Sequence, residues 1–142
     1  MKLLARLRLA ATLDNVPRAV ECVRESARAV GLDDRLQGQL QLAVDEACAN
    51  VVDHAYQDLE PGDMEVSCGL TDRAFVVCVR DWGRGFDLDA VSVPDVTAPL
   101  QDRALGGLGL YLIRQVMDEV RLTLDPRKGN VLTMIKRLPG RE

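Results

Sequence analysis

The amino-acid sequence predicts an α+β fold, a two-layer sandwich with helices on one face of a mostly antiparallel sheet. Three observations lead there. The apolar pattern switches between periods near two and near 3.6 in the order β-α-α-β-β-α-β-β. Successive strand segments are joined by short turns, so hairpins dominate. The repeated β-α-β units of a doubly wound parallel sheet are missing from the pattern.

Residues 2–10 alternate, with Leu3, Ala5, Leu7 and Leu9 on one side and Arg6 and Arg8 on the other, as in a half-buried strand. Asn15 offers an N-cap and Pro17 suits a first helical turn. Val16, Val20, Val23, Ala27 and Val30 then recur at three-and-four spacing until Gly31 supplies a stop. Asp33 or Asp34 can cap a second, longer helix running to about Tyr56. Pro61-Gly62 breaks the chain, after which Met64, Val66, Cys68 and Leu70 alternate with polar residues up to a turn at Thr71-Asp72-Arg73. Phe75 to Val79 is continuously apolar, which predicts a strand central in its sheet or covered on both faces. Residues 86–105 carry Pro94 and Pro99 and show no clear period, so they read as a loop, of a length that is usually functional or mobile. Gly106-Gly107-Leu108-Gly109 opens a helix from Leu110 to about Asp118, and Val120–Leu124 and Val131–Leu138 form a last hairpin around residues 125–130.

A length of 142 residues fits one domain, 1–142. Roughly two thirds of the unfolded surface can be buried at this size, and with aromatics at only 4% the core must be filled by Leu, Val and Ala. The 18 basic and 22 acidic residues are interspersed, for a net charge of −4. Phosphate-backbone binding needs a basic surface, so this balance argues against nucleic acid as a partner. Cys22, Cys48, Cys68 and Cys78 form no C-x-x-C pair and His54 is the sole histidine, which argues against a structural zinc site or a Cys/His nucleophile. Three of the cysteines sit in apolar runs and read as buried thiols in a reducing compartment. Arg6 and Arg8 interrupt any apolar core of a signal peptide, and no run reaches membrane-spanning length. The expectation is a soluble, cytoplasmic protein with no membrane partner.

Three segments carry candidate chemistry. On the long helix, Leu36, Leu40, Ala43, Val44, Ala47 and Val51 form one apolar stripe, and Glu46 and Asn50, four apart, share a face flanking it. A carboxylate and a carboxamide at the rim of a core can hold a metal ion or a water against a cleft. Taken alone they also fit an ordinary surface pair, and His54, one turn on, fits a packed or capping histidine. Next, Asp81-x-Gly83-x-Gly85 follows the apolar strand directly. An acid there can accept a hydrogen bond from an exocyclic amine, while the glycines admit a flat ring and take positive φ. An Asp- and Gly-rich turn is the plainer interpretation. Last, Gly106-Gly107-Leu108-Gly109 places free N–H groups and a helix dipole where a phosphate could sit, or simply forms a joint. Its spacing is not that of a Walker loop and no lysine follows.

An E-x-x-x-N helix, a strand ending D-x-G-x-G, a loop of about twenty residues and a G-x-G helix start, in this order, resemble the GHKL (Bergerat) ATP-binding superfamily of gyrases, histidine kinases and anti-sigma-factor serine kinases. The resemblance runs from Leu9 to Leu138. Ala43-Val44-Asp45-Glu46-Ala47 leading to Asn50 and His54-Ala55-Tyr56, with Gly106 to Ile113, is most similar to the anti-sigma-factor serine kinases. It implies a Bergerat fold that uses ATP and Mg²⁺, with Glu46 as general base and Asn50 as metal ligand and nucleotide contact. It makes Asp81 the acceptor of the adenine amine in a pocket shaped by Gly83 and Gly85. Gly107, Leu108 and Gly109 become the phosphate-side turn, and 86–105 a short ATP lid. Two positions depart from the family pattern. The basic residue usually placed just before the second glycine box corresponds to Arg103, three positions ahead of Gly106, and the late G-T pair is replaced by Gly129-Asn130, with Thr133 displaced.

The activity so implied is phosphoryl transfer from ATP to a serine of a partner, in this branch an anti-sigma-factor antagonist of the STAS type. A sigma factor is the other partner and a homodimer the usual assembly. The competing expectation is a nucleotide-sensing switch that sequesters a partner without phosphorylating it, against which the retained Glu46 argues. An autonomous ATPase is a third. A histidine kinase fragment is disfavoured because no dimerisation helix with a phospho-accepting histidine precedes the pocket.

Overall fold

Alternating strands and one-sided helices can bury their apolar faces only against each other. In the computed structural model, which describes residues 1–85 and 107–139, they do so as strands β1 (Lys2–Ala10), β2 (Asp63–Leu70), β3 (Ala74–Asp81), β4 (Glu119–Asp125) and β5 (Gly129–Arg137) and helices α1 (Val16–Ala29), α2 (Asp34–Asn50) and α3 (Gly107–Val116). The sheet order is β1-β2-β3-β5-β4 and all four pairings are antiparallel. β3 is central, as its unbroken apolar run requires. Phe75, Val77 and Val79 join Leu9, Val66, Leu132 and Met134 against the helices, while Val76 alternates to the opposite face.

The α2 stripe is buried as its spacing requires, from Leu36 through Leu40, Ala43, Val44 and Ala47 to Val51. Asp33 is the cap: its Oδ1 accepts the Leu36 N–H at 2.9 Å. Gly31 ends α1 at φ +86°. After Asn50 the helix widens into one π turn, Val51–Ala55, so the helical region reaches the expected end near Tyr56 by a changed hydrogen-bond pattern.

Three local expectations need correction. Asn15 occupies the N-cap position of α1 but makes no capping bond; its Nδ2 donates to Ala10 O at 3.0 Å, tying the helix start to β1. The alternation of β1 slips at Leu4, where the pairing shifts between Leu3 and Ala5. Leu3 is therefore 46% exposed and Leu4 packs on the core instead. Gly69 faces this bulge; a Cβ there would lie 2.6 Å from Lys2 O. The third helix begins at Gly107, three residues before Leu110, and stops at Val116, where Lys136 Nζ donates to the Val116 carbonyl at 2.7 Å.

All four cysteines are free; Cys48 and Cys68 are buried and Cys22 and Cys78 half-buried. Burial, aided by nearby Asp45, pushes the Cys48 thiol up to about 12, so it packs as an inert apolar group. No helix among the described residues is long and apolar enough to cross a membrane.

Candidate functional site

Glu46 and Asn50 lie half-buried on the flank of α2, and the first turn of α3 packs against them. The contact is so close that a Cβ on Gly109 would stand 3.2 Å from Glu46 Oε2 and from both Oδ1 and Nδ2 of Asn50. Glycine leaves this contact room: a Cβ would require the carboxylate and carboxamide to give by a few tenths of an ångström.

Asp81, the last residue of β3, lines a hollow together with Asn50. A cavity of about 280 Å³ is lined by Asn50, His54, Asp81, Leu110 and Asn130, with Ala47, Val79, Leu122 and Leu132 supplying apolar walls. Its size falls at the lower edge of small-molecule sites, roughly 300–1,000 Å³. Asn50 and Asp81 thus face one shared space. His54, expected to pack or cap, also lines it.

The turn after Asp81 is held from several directions. Asp81 Oδ1 accepts the Gly83 N–H at 2.9 Å and Asn130 Nδ2 at 3.0 Å. The Asn130 amide also donates to Gly83 O at 2.9 Å. Arg84 N–H bonds to Ala55 O at 2.6 Å, and the Tyr56 hydroxyl accepts Trp82 N–H at 2.9 Å while donating to Asp63 O at 2.5 Å. The π turn thereby points the end of the α2 segment at the Asp81 turn.

Gly83 and Gly85 do not adopt the positive φ expected of them; among the described glycines only Gly31 and Gly129 do. Gly83 is needed for space, because a Cβ would run into Ala55 O. At Gly85 it would meet Leu124 Cδ2 at 2.6 Å. Gly129 meets both demands, with φ +87° and Asp81 O 2.6 Å from a would-be Cβ.

Burial raises both key acids. Glu46 sits above the usual carboxylate range through desolvation, with adjacent Asp45 adding to it. Asp81 is raised by desolvation too, opposed by the bonds from Asn130 and Gly83. Among the described residues no three His, Cys, Asp or Glu side chains gather as a metal site. An ion beside the oxygens of Asn50 and Glu46 would need most of its ligands from elsewhere, as Mg²⁺ on phosphates and water does.

Of the residues singled out in the sequence, Asn50, Asp81 and Gly85 line this hollow; Gly83 lies in the turn bonded to Asp81, and Gly109 packs on Glu46 and Asn50, with Gly107 and Leu108 in the same first turn of α3. Arg103, Gly106 and the expected lid at 86–105 lie outside the described residues. Sequence reasoning missed Tyr56 and Asn130. The only signal for Asn130 was its place after Gly129, where the family pattern has threonine; Thr133 faces away, beside Cys78 Sγ at 3.7 Å.

An antiparallel sheet layered with helices over a pocket walled by an E-x-x-x-N helix and two glycine turns defines a GHKL-type nucleotide-binding domain. The histidine kinase-like ATPase domain family model matches residues 9–136, and the chain belongs to that family. Its relatives include proteins named Serine-protein kinase RsbW. That of Halalkalibacterium halodurans is 44% identical over 101 residues, covering 68% of this chain and 60% of the relative. That of Bacillus subtilis is 37% identical over 105 residues, covering 71% and 64%. The matches thus span less than two thirds of these relatives' lengths. Among solved structures, the RsbU and RsbW domains of Rv1364c from Mycobacterium tuberculosis superpose with a TM-score of 0.65 at 20% identity, over 96% of this chain and 34% of that one. The histidine kinase domain of Erythrobacter litoralis EL346 blue-light activated histidine kinase gives 0.55 at 17%, over 94% and 63%. At these identities the structures establish the fold alone.

Proposed function

We propose that this chain is an ATP-dependent serine/threonine-protein kinase of the anti-sigma-factor type, whose nucleotide lies between Asp81 and the start of α3. The observation that carries the reading is that Asn50, which with Glu46 packs under Gly109, lines one cavity together with Asp81. The apolar walls suit the faces of an adenine and Asp81 its amine. The N–H groups at the start of α3, from Gly107 through Gly109, suit phosphate oxygens.

In this reading Asn50 would hold Mg²⁺, which when bound neutralises phosphate charge. Glu46 takes the proton of the incoming serine hydroxyl; its desolvated carboxylate is a better base than an exposed one. Arg103 and the 86–105 segment would close over the phosphates. The kinase relatives support a protein substrate. We assign as substrate a STAS-domain anti-sigma-factor antagonist, with a sigma factor as second partner, a homodimeric assembly, a cytoplasmic location and a single domain over 1–142.

The test is transfer of label from γ-labelled ATP to candidate STAS proteins by the wild type and by Glu46→Gln. Serine labelling is expected from the wild type alone. Equal serine labelling by both would remove Glu46 from the role of base, and none by either would leave only a nucleotide-binding switch. Comparable ATP turnover with no protein present would point instead to an autonomous ATPase.

A further inference from the structure

We infer that Asn130 is a positioning residue for purine selectivity, fixing Asp81 so that a single carboxylate oxygen meets a 6-amino group. This rests on the adenine-pocket reading above and extends it to a residue that replaces the threonine of the family pattern.

Asn130 is only 9% exposed, so its amide needs partners. Both neighbours of Nδ2 are acceptors, Asp81 Oδ1 at 3.0 Å and Gly83 O at 2.9 Å. The network therefore fixes which end of the amide is nitrogen. Both hydrogens of the NH₂ are used. With the Gly83 N–H, two donors converge on Asp81 Oδ1. Among the described residues no donor reaches Oδ2, which is left to receive the ligand. A carboxylate with one oxygen engaged cannot clamp two adjacent ring donors, as guanine's N1–H and 2-amino group would require. It can accept one exocyclic amine. Threonine has a single hydroxyl hydrogen and could donate to Asp81 or to Gly83 O, not to both. Asn130 thus locks carboxylate and turn together where a hydroxyl would hold one of them. The surrounding titratable groups are His54 from the π turn, Tyr56 just after it and Arg84 from the Asp81 turn itself. All remain in the variants below.

The experiment compares calorimetric affinities for ADP and for purine riboside 5′-diphosphate, which lacks the 6-amino group, in the wild type and in Asn130→Ala. The wild type is expected to favour ADP. The substitution is expected to weaken ADP about tenfold, as for a lost bond to a charged group, and the deaminated ligand less than about threefold. Lowering the pH should weaken ADP binding earlier in Asn130→Ala than in the wild type, because a bond that favours the ionised carboxylate has gone. Equal losses for both ligands would show a merely structural role, and an undiminished ADP affinity would overturn the inference. A wild type with no preference for ADP would instead overturn the adenine reading of the pocket. If Asn130→Ala fails to fold, Asn130→Thr keeps one donor. An ADP loss about half as large on a logarithmic scale is then expected, and full wild-type selectivity would contradict the proposal.

Discussion

Glu46, on α2, and Tyr56, just after the π turn, fail differently when changed. Glu46→Gln keeps the shape and the contact beneath Gly109 but cannot accept a proton. Transfer to a protein serine is expected to fall by about 10²–10⁴, while ADP affinity by calorimetry stays within about threefold. Tyr56→Phe keeps the ring against Gly62 but removes the hydroxyl that joins Trp82 N–H to Asp63 O. Leaving such backbone groups without partners costs about 1–3 kcal/mol. A lower midpoint in urea denaturation is expected, together with weaker ADP binding, since the freed turn carries Asp81. Neither role could be read from composition. Glu46 was legible because its spacing to Asn50 is local and helical. Tyr56 was not, because its partners lie seven and 26 residues away and meet only after the sheet forms.

At the scale of elements, α2 does most to place the site, and its weak point is Gly38. This glycine is exposed within the helix with no atom within 4 Å of a would-be Cβ. Gly38→Ala is expected to raise stability by about 0.8–1.0 kcal/mol, and Leu40→Ala, at 0% exposure, to lower it by about 2–5 kcal/mol. Both are read from urea midpoints at constant m. The helices and strands themselves were legible, since Val16 to Ala27 and Leu36 to Val51 carry their period in the chain. What escaped was whatever depends on a neighbour. The slip at Leu4 is matched by Gly69 on β2. The π turn finds its use in the bond from Arg84. Gly83 after Asp81 answers to crowding by the Ala55 backbone, where local reasoning expected a backbone of positive φ.

Over the whole molecule, the site sets stability against function. Glu46 and Asp81 both titrate above the ordinary carboxylate range because burial disfavours their charge. The folded chain therefore keeps protons that the unfolded chain has released. Their contribution is fully present below the unfolded pKa values, about 4, and is lost as pH rises through the raised folded values. Glu46→Gln removes one such charge. It is expected to melt higher than the wild type at pH 7, with the difference closing toward pH 4, as scanning calorimetry across that range would show.

The claim on which the account turns is that Asp81 and Asn50 grip opposite ends of one nucleotide. Titration of ADP into wild type and Asp81→Asn measures this most directly. The wild type is expected to bind, and the variant to lose affinity by more than about tenfold, because a charge-assisted acceptor is replaced. Equal affinity in the two proteins would contradict the placement of adenine at Asp81.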